Sequence, residues 1–192
     1  GSKSDETGYS ILDACREFGG IVATGHEHSY SRTHLMSNFA KQTISSTSST
    51  LRIRPGRSFL FVSGNGGSSL RPWRNGLERN PWWASTASTS SRPQVDWAAL
   101  LCTFNVGGNP SKAHCDFTDV RGRRWDSFDI ESSPSDYSDY NPSDFRDESS
   151  RDIDIAVEDP DDDLMLRGRF NFGSLAIASY YEETSVALRF KH

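Results

Sequence analysis

The chain has 192 residues, enough for one domain with a real core, or for one domain and part of a second. Hydrophobic residues make up 34% and mean hydropathy is -0.64; no run of about 18 apolar residues occurs, so no stretch reads as a membrane-spanning helix. The net charge of -5 is concentrated: residues 1–132 carry +3, residues 133–163 carry -10 and residues 164–192 carry +2.

The opening residues, GSKSDETGY, read as an expression remnant or as the interior of a longer protein. Residues 8–20, GYSILDACREFGG, read as a helix, with Ile11, Leu12, Ala14, Cys15 and Phe18 at helical spacing and Gly19-Gly20 as the stop. IVATG follows as a short buried strand ending in glycine. Helix, tight turn, strand and polar loop form an αβ unit, whose functional residues emerge at the strand's carboxyl end. The loop at that position is GHEHSYSR.

SYSRTHLM alternates loosely, as a strand would, and residues 42–50, QTISSTSST, read as loop. TLRIRPG and SFLFVSGNGG read as two strands joined by a Pro-Gly turn. Residues 68–94 hold Trp73, Trp82, Trp83 and three prolines, and read as an irregular loop. WAALLCTFN, KAHCDFTDV and RRWDSFDIE form an antiparallel meander that closes the first domain near Ser132. Residues 133–163 read as an acidic Ser/Asp-rich linker, since they have little apolar content and match no EF-hand. Residues 164–192 read as two or three strands, which either join the first domain's sheet or open a further β-sandwich module.

The three cysteines form no CxxC pair, so a structural zinc site is not expected. A hairpin across VGGNPS places Cys102 beside Cys115, as a disulfide or as two buried thiols; a disulfide implies an oxidising compartment. Arg52, Arg54, Arg57, Arg71, Arg74 and Arg79 make a loose basic set that either attracts phosphate or is solvated surface. Aromatics are not interleaved with these arginines in a nucleic-acid-binding pattern, and the net charge is negative, so no nucleic-acid partner is expected.

His26 and His28 carry the sharpest signal. Neutral imidazole ligates zinc, iron and manganese. On an extended loop, residues i and i+2 can reach two adjacent metals, and Gly25 leaves room for close backbone approach. GHEHSYSRT resembles the last signature block of calcineurin-like metallophosphoesterases, in the GHxHxYxR form of purple acid phosphatases. The helix with ACR, the GG-IVATG strand and the later GNGG extend the resemblance over roughly residues 3–131.

The resemblance implies an α/β fold in the α+β sense, the C-terminal half of a metallophosphoesterase β-sandwich flanked by helices, over residues 1–132. It implies that His26 binds one metal of a pair and His28 the other, the ions being about 3.5–4 Å apart. Such a pair activates water for in-line attack on a phosphate ester. Tyr30 and Arg32 would shape the pocket or support the ligands, and Glu27 would make a structural or solvent contact. The family's earlier blocks, Asp-x-His, Gly-Asp-x-x-Asp and Gly-Asn-His-Glu/Asp, have no counterpart in the 25 residues before His26, and His34, His114 and His192 do not match. The resemblance therefore implies a chain that supplies two histidine ligands, needs an N-terminal half for its two metal ions, and is inactive alone. The alternative is a non-catalytic surface or matrix scaffold. Both readings imply an extracellular or cell-surface setting.

Overall fold

The computed structural model describes residues 9–67, 69–74, 76–132 and 186–189. Helix α1 spans Ser10–Glu17. Gly19, at φ 69°, ends it: the Gly19 amide donates to the Arg16 carbonyl at 2.9 Å and the Gly20 amide to the Cys15 carbonyl at 2.7 Å. Both last-turn carbonyls are thereby satisfied, as a Schellman cap requires. Asp13 Oδ1 accepts from Arg16 Nε and from the Phe39 amide, so the helix is tied to the next layer.

Strands β1 (Val22–Thr24), β2 (Tyr30–Thr33), β6 (Leu60–Ser63) and β7 (Trp83–Ala87) form one mixed sheet in the order β1-β6-β2-β7. Strands β5 (Thr50–Ile53), β8 (Ala98–Phe104), β9 (Lys112–Asp119), β10 (Arg124–Ser132) and β11 (Val186–Arg189) form the other, in the order β11-β8-β9-β10-β5. β1 runs parallel to β6, β5 to β10 and β11 to β8; the remaining pairs within the two sheets are antiparallel. A third pair, β3 (Leu35–Asn38) with β4 (Thr43–Ser46), is antiparallel.

The pleat decides which side chains meet. Ala23, Tyr30, Phe59 and Phe61 face Leu51, Leu100, Phe117 and Phe128 of the second sheet in the main core. Val22 and Leu60 point the other way, onto Met36 and Phe39, with Leu12 and Cys15 of α1 packed over them. The first sheet is thus covered on its second face at β1 and β6. This is an α+β fold, mostly strands in mixed sheets with few helices, as the resemblance implies.

Two readings are corrected. Residues 42–50 are not all loop, because β4 pairs with β3; alternating half-exposed Thr and Ser suit an outer strand. Residues 68–94 contain a 3-10 turn at Leu77–Arg79 and strand β7, paired with β2. The two strands read on either side of the Pro-Gly turn are β5 and β6, and they belong to different sheets. The acidic linker 133–163 lies outside the described residues. In the tail 164–192 only Val186–Arg189 is described, and it joins the first domain's sheet beside β8.

Candidate functional site

The GHEH loop leaves the carboxyl end of β1. Gly25 is buried, and His26 adopts φ 65°, a left-handed conformation uncommon outside glycine. Two tight backbone bonds follow: the Glu27 amide donates to the Gly25 carbonyl at 2.8 Å, and the Ser29 amide to the Glu27 carbonyl at 2.6 Å. This compact loop lies against the end of β6. The Gly64 amide donates to the Ser29 carbonyl at 3.1 Å, and a Cβ built on Gly64 would overlap the Glu27 carbonyl oxygen. Only glycine allows that approach without moving backbone.

His26 is exposed and His28 half-buried. His28 Nδ1 lies 2.6 Å from the Ser69 carbonyl oxygen. A carbonyl only accepts, so Nδ1 carries a proton and donates; in the neutral ring the lone pair is then on Nε2. The Arg71 amide donates to the His28 carbonyl at 3.0 Å, holding the backbone of the same segment. Metal-bound histidines are commonly oriented by such a hydrogen bond from their second nitrogen. The donor type therefore fits a metal. Among the described residues, however, no group of three or more His, Cys, Asp and Glu side chains could hold one.

Tyr30 and Arg32 point into the fold. Both are buried in the space between the sheets. The Tyr30 hydroxyl donates to Asp126 Oδ2 at 2.6 Å, and Arg32 donates through Nε to Oδ2 at 2.7 Å and through Nη2 to Oδ1 at 3.0 Å. Tyr30 stacks on Phe117 at 3.8 Å, and the Arg32 guanidinium sits 4.3 Å from the Phe128 ring centre. Burial first, then the Asp126 carboxylate, hold the Tyr30 phenol well above its ordinary pKa, so it remains a donor. These two residues join the sheets.

The other face of β2 carries a cleft of about 390 Å³, lined by Glu27, Ser29, Ser31 and Val62 on one side and by Arg71, Trp73, Arg74, Leu77 and Trp83 on the other. Glu27 was expected to make a structural or solvent contact; it forms part of this wall. The basic set divides. Arg71 and Arg74 reach the cleft, Arg52 pairs with Glu131 at 3.2 Å, and Arg57 donates to the Gly56 carbonyl. The tryptophans of residues 68–94 were the overlooked signal, because indole rings in a polar segment need something to pack on.

Cys102 and Cys115, a cross-strand pair of β8 and β9, form a disulfide in the main core, and Cys15 is free. Burial first, then Arg32, lower the pKa of His34 below its ordinary value. His114 belongs to a separate cluster with Asp129 and Asp116 on the outer face of the second sheet. No described helix is long and apolar enough to cross a membrane.

No family model and no curated protein matches the chain. Among solved structures it is similar to the purple acid phosphatase PPD1 isolated from yellow lupin (Lupinus luteus) seeds, with 17% sequence identity and a TM-score of 0.49. The match covers 66% of this chain and 20% of that one.

Proposed function

We propose that the loop at the end of β1 supplies two imidazole ligands, His26 and His28, to a binuclear metal centre of iron, zinc or manganese that hydrolyses phosphate esters. Polypeptide outside the described residues, an N-terminal half, supplies the remaining ligands. The observation that carries the reading is the Ser69 carbonyl on His28 Nδ1, which in the neutral ring makes Nε2 the ligating nitrogen. When bound, a metal pair lowers the pKa of water and offsets charge on the phosphoryl group. The chain's own parts have simpler tasks. Ser69 fixes the His28 tautomer, Gly64 admits the loop, and Arg71 and Arg74 favour an anion at the adjoining cleft. The buried Cys102–Cys115 bridge supports an oxidising, extracytoplasmic setting.

Elemental analysis tests the reading on protein purified from its source with co-purifying chains retained. The expected result is about two equivalents of metal, lost in the His26→Ala/His28→Ala variant together with phosphatase activity, while the isolated 192-residue chain is inactive. A folded, metal-free protein would overturn it. The second reading is a non-catalytic scaffold. It is favoured by the use of Tyr30 and Arg32 of the signature block as core fasteners, a role that persists without catalysis.

A further inference from the structure

We infer that the cleft between β2 and the Arg71–Leu77 segment is a binding site for a small aromatic anion, a planar ring carrying a phosphate-like group. Its volume of about 390 Å³ lies in the range of small-molecule sites. Its apolar lining holds two indole rings, Trp73 and Trp83, which meet edge to face at 5.3 Å, together with Val62, Pro72 and Leu77, the last 58% exposed. Such a corner offers a flat ring one face and one edge to pack on.

Two polar atoms of the lining are buried without a partner, Ser31 Oγ and Trp73 Nε1. Ser31 is wholly buried, and its hydroxyl has no partner among the described residues. Arg71 and Arg74 are exposed at the rim, and neither guanidinium forms an ion pair with a described residue. Against them stands one carboxylate, Glu27, which leaves the lining with net positive charge. The indole wall and the guanidinium groups at the rim together select a ring with an anionic substituent over either part alone.

Glu27 lies between His26 and His28, so the cleft adjoins the proposed metal ligands. It would then seat the ring-bearing alcohol side of a phosphate ester. That last step rests on the proposed hydrolytic function; the binding site itself does not.

Calorimetric titration of the chain with 1-naphthyl phosphate, in buffer containing EDTA, reads the cleft without any metal. The expected result is saturable binding, with 1-naphthol and inorganic phosphate each weaker by about tenfold or more. Trp73→Ala and Arg71→Ala/Arg74→Ala should each weaken 1-naphthyl phosphate by a similar factor. The arginine variant changes only exposed rim residues, so it keeps the test valid if the tryptophan variant unfolds. Equal affinity for 1-naphthol, or unchanged affinity in the folded arginine variant, would overturn the inference. Because EDTA is present, a protein that binds the probe yet carries no metal from its source refutes the hydrolytic reading alone.

Discussion

Asp126 answers two donors of one strand. Its side chain is 8% exposed, and that of Arg32 is 5% exposed. Removing the carboxylate leaves a buried guanidinium with no counter-charge, a defect that typically costs about 3–5 kcal/mol. Asp126→Ala should therefore lose about that much in urea unfolding. Tyr30→Phe, which deletes one bond to a charged acceptor but spares the two from Arg32, should lose about 1–3 kcal/mol. If the two variants prove equally mild, the sheets are joined by packing and not by this contact. His114 gives a second residue-scale test. The Asp129 hydrogen bond chiefly, opposed by burial and helped by Asp116, raises its pKa above 6.5. A raised value in the folded state means that its stabilisation is complete below pH 6.5 and lost as pH climbs through the folded value. The stability gap between wild type and His114→Gln should accordingly be larger at about pH 5.5 than at about pH 8.5. An equal gap at both pH values would show that the contact carries no charge-dependent stability.

At the scale of the elements, β8 and β9 are joined twice, by their ladder and by the Cys102–Cys115 bridge, with a sequence separation of 13. A closed loop of that length restricts the unfolded chain by about 3 kcal/mol in the chain-entropy view. Cys102→Ala/Cys115→Ala should lower stability by about 2–4 kcal/mol and should make the protein insensitive to added thiol; retained thiol sensitivity would implicate another bond. These strands also show what the sequence could reveal. KAHCDFTDV alternates cleanly, and the structure buries Ala113, Cys115, Phe117 and Asp119 along β9, so pattern and pleat agree. α1 was legible for the same reason, through Leu12, Cys15 and the glycine stop. β4 was not, because TISS holds one apolar residue and its pairing with β3 is a tertiary fact. The separation of β5 from β6 was equally hidden, since a strand pattern does not say which sheet it joins. At the site, His26 and His28 stood out as a spaced pair, whereas the cleft is assembled from β2, β6, β7 and the Arg71–Leu77 segment and had no local signature.

Across the whole molecule, one close approach connects the fold to both proposed sites. β1 and β6 run parallel, so their carboxyl ends lie at the same end of the sheet, where the GHEH loop and Gly64 meet. Gly64 allows the Glu27 carbonyl to lie against it, and the loop so placed carries His26 and His28 as well as Glu27 and Ser29 of the cleft wall. The obstacle to any larger residue is backbone, which cannot rotate away as a long side chain can. Gly64→Ala should therefore displace the loop and cost about 1–3 kcal/mol, the usual range for overpacking. Gly67 is the matched control, because a Cβ there meets nothing within 4 Å. Gly67→Ala should leave thermal stability nearly unchanged. If the loop is the shared support, Gly64→Ala should also weaken 1-naphthyl phosphate in EDTA and reduce metal content in source-purified protein, although it alters no lining or ligand side chain. A Gly64→Ala protein as stable as Gly67→Ala, with probe affinity intact, would show that the loop yields without loss and that its position is set elsewhere. Stability lost with affinity kept would separate the two roles, leaving Gly64 as a fastener of β6 and the cleft as the property of β2 and its tryptophan wall.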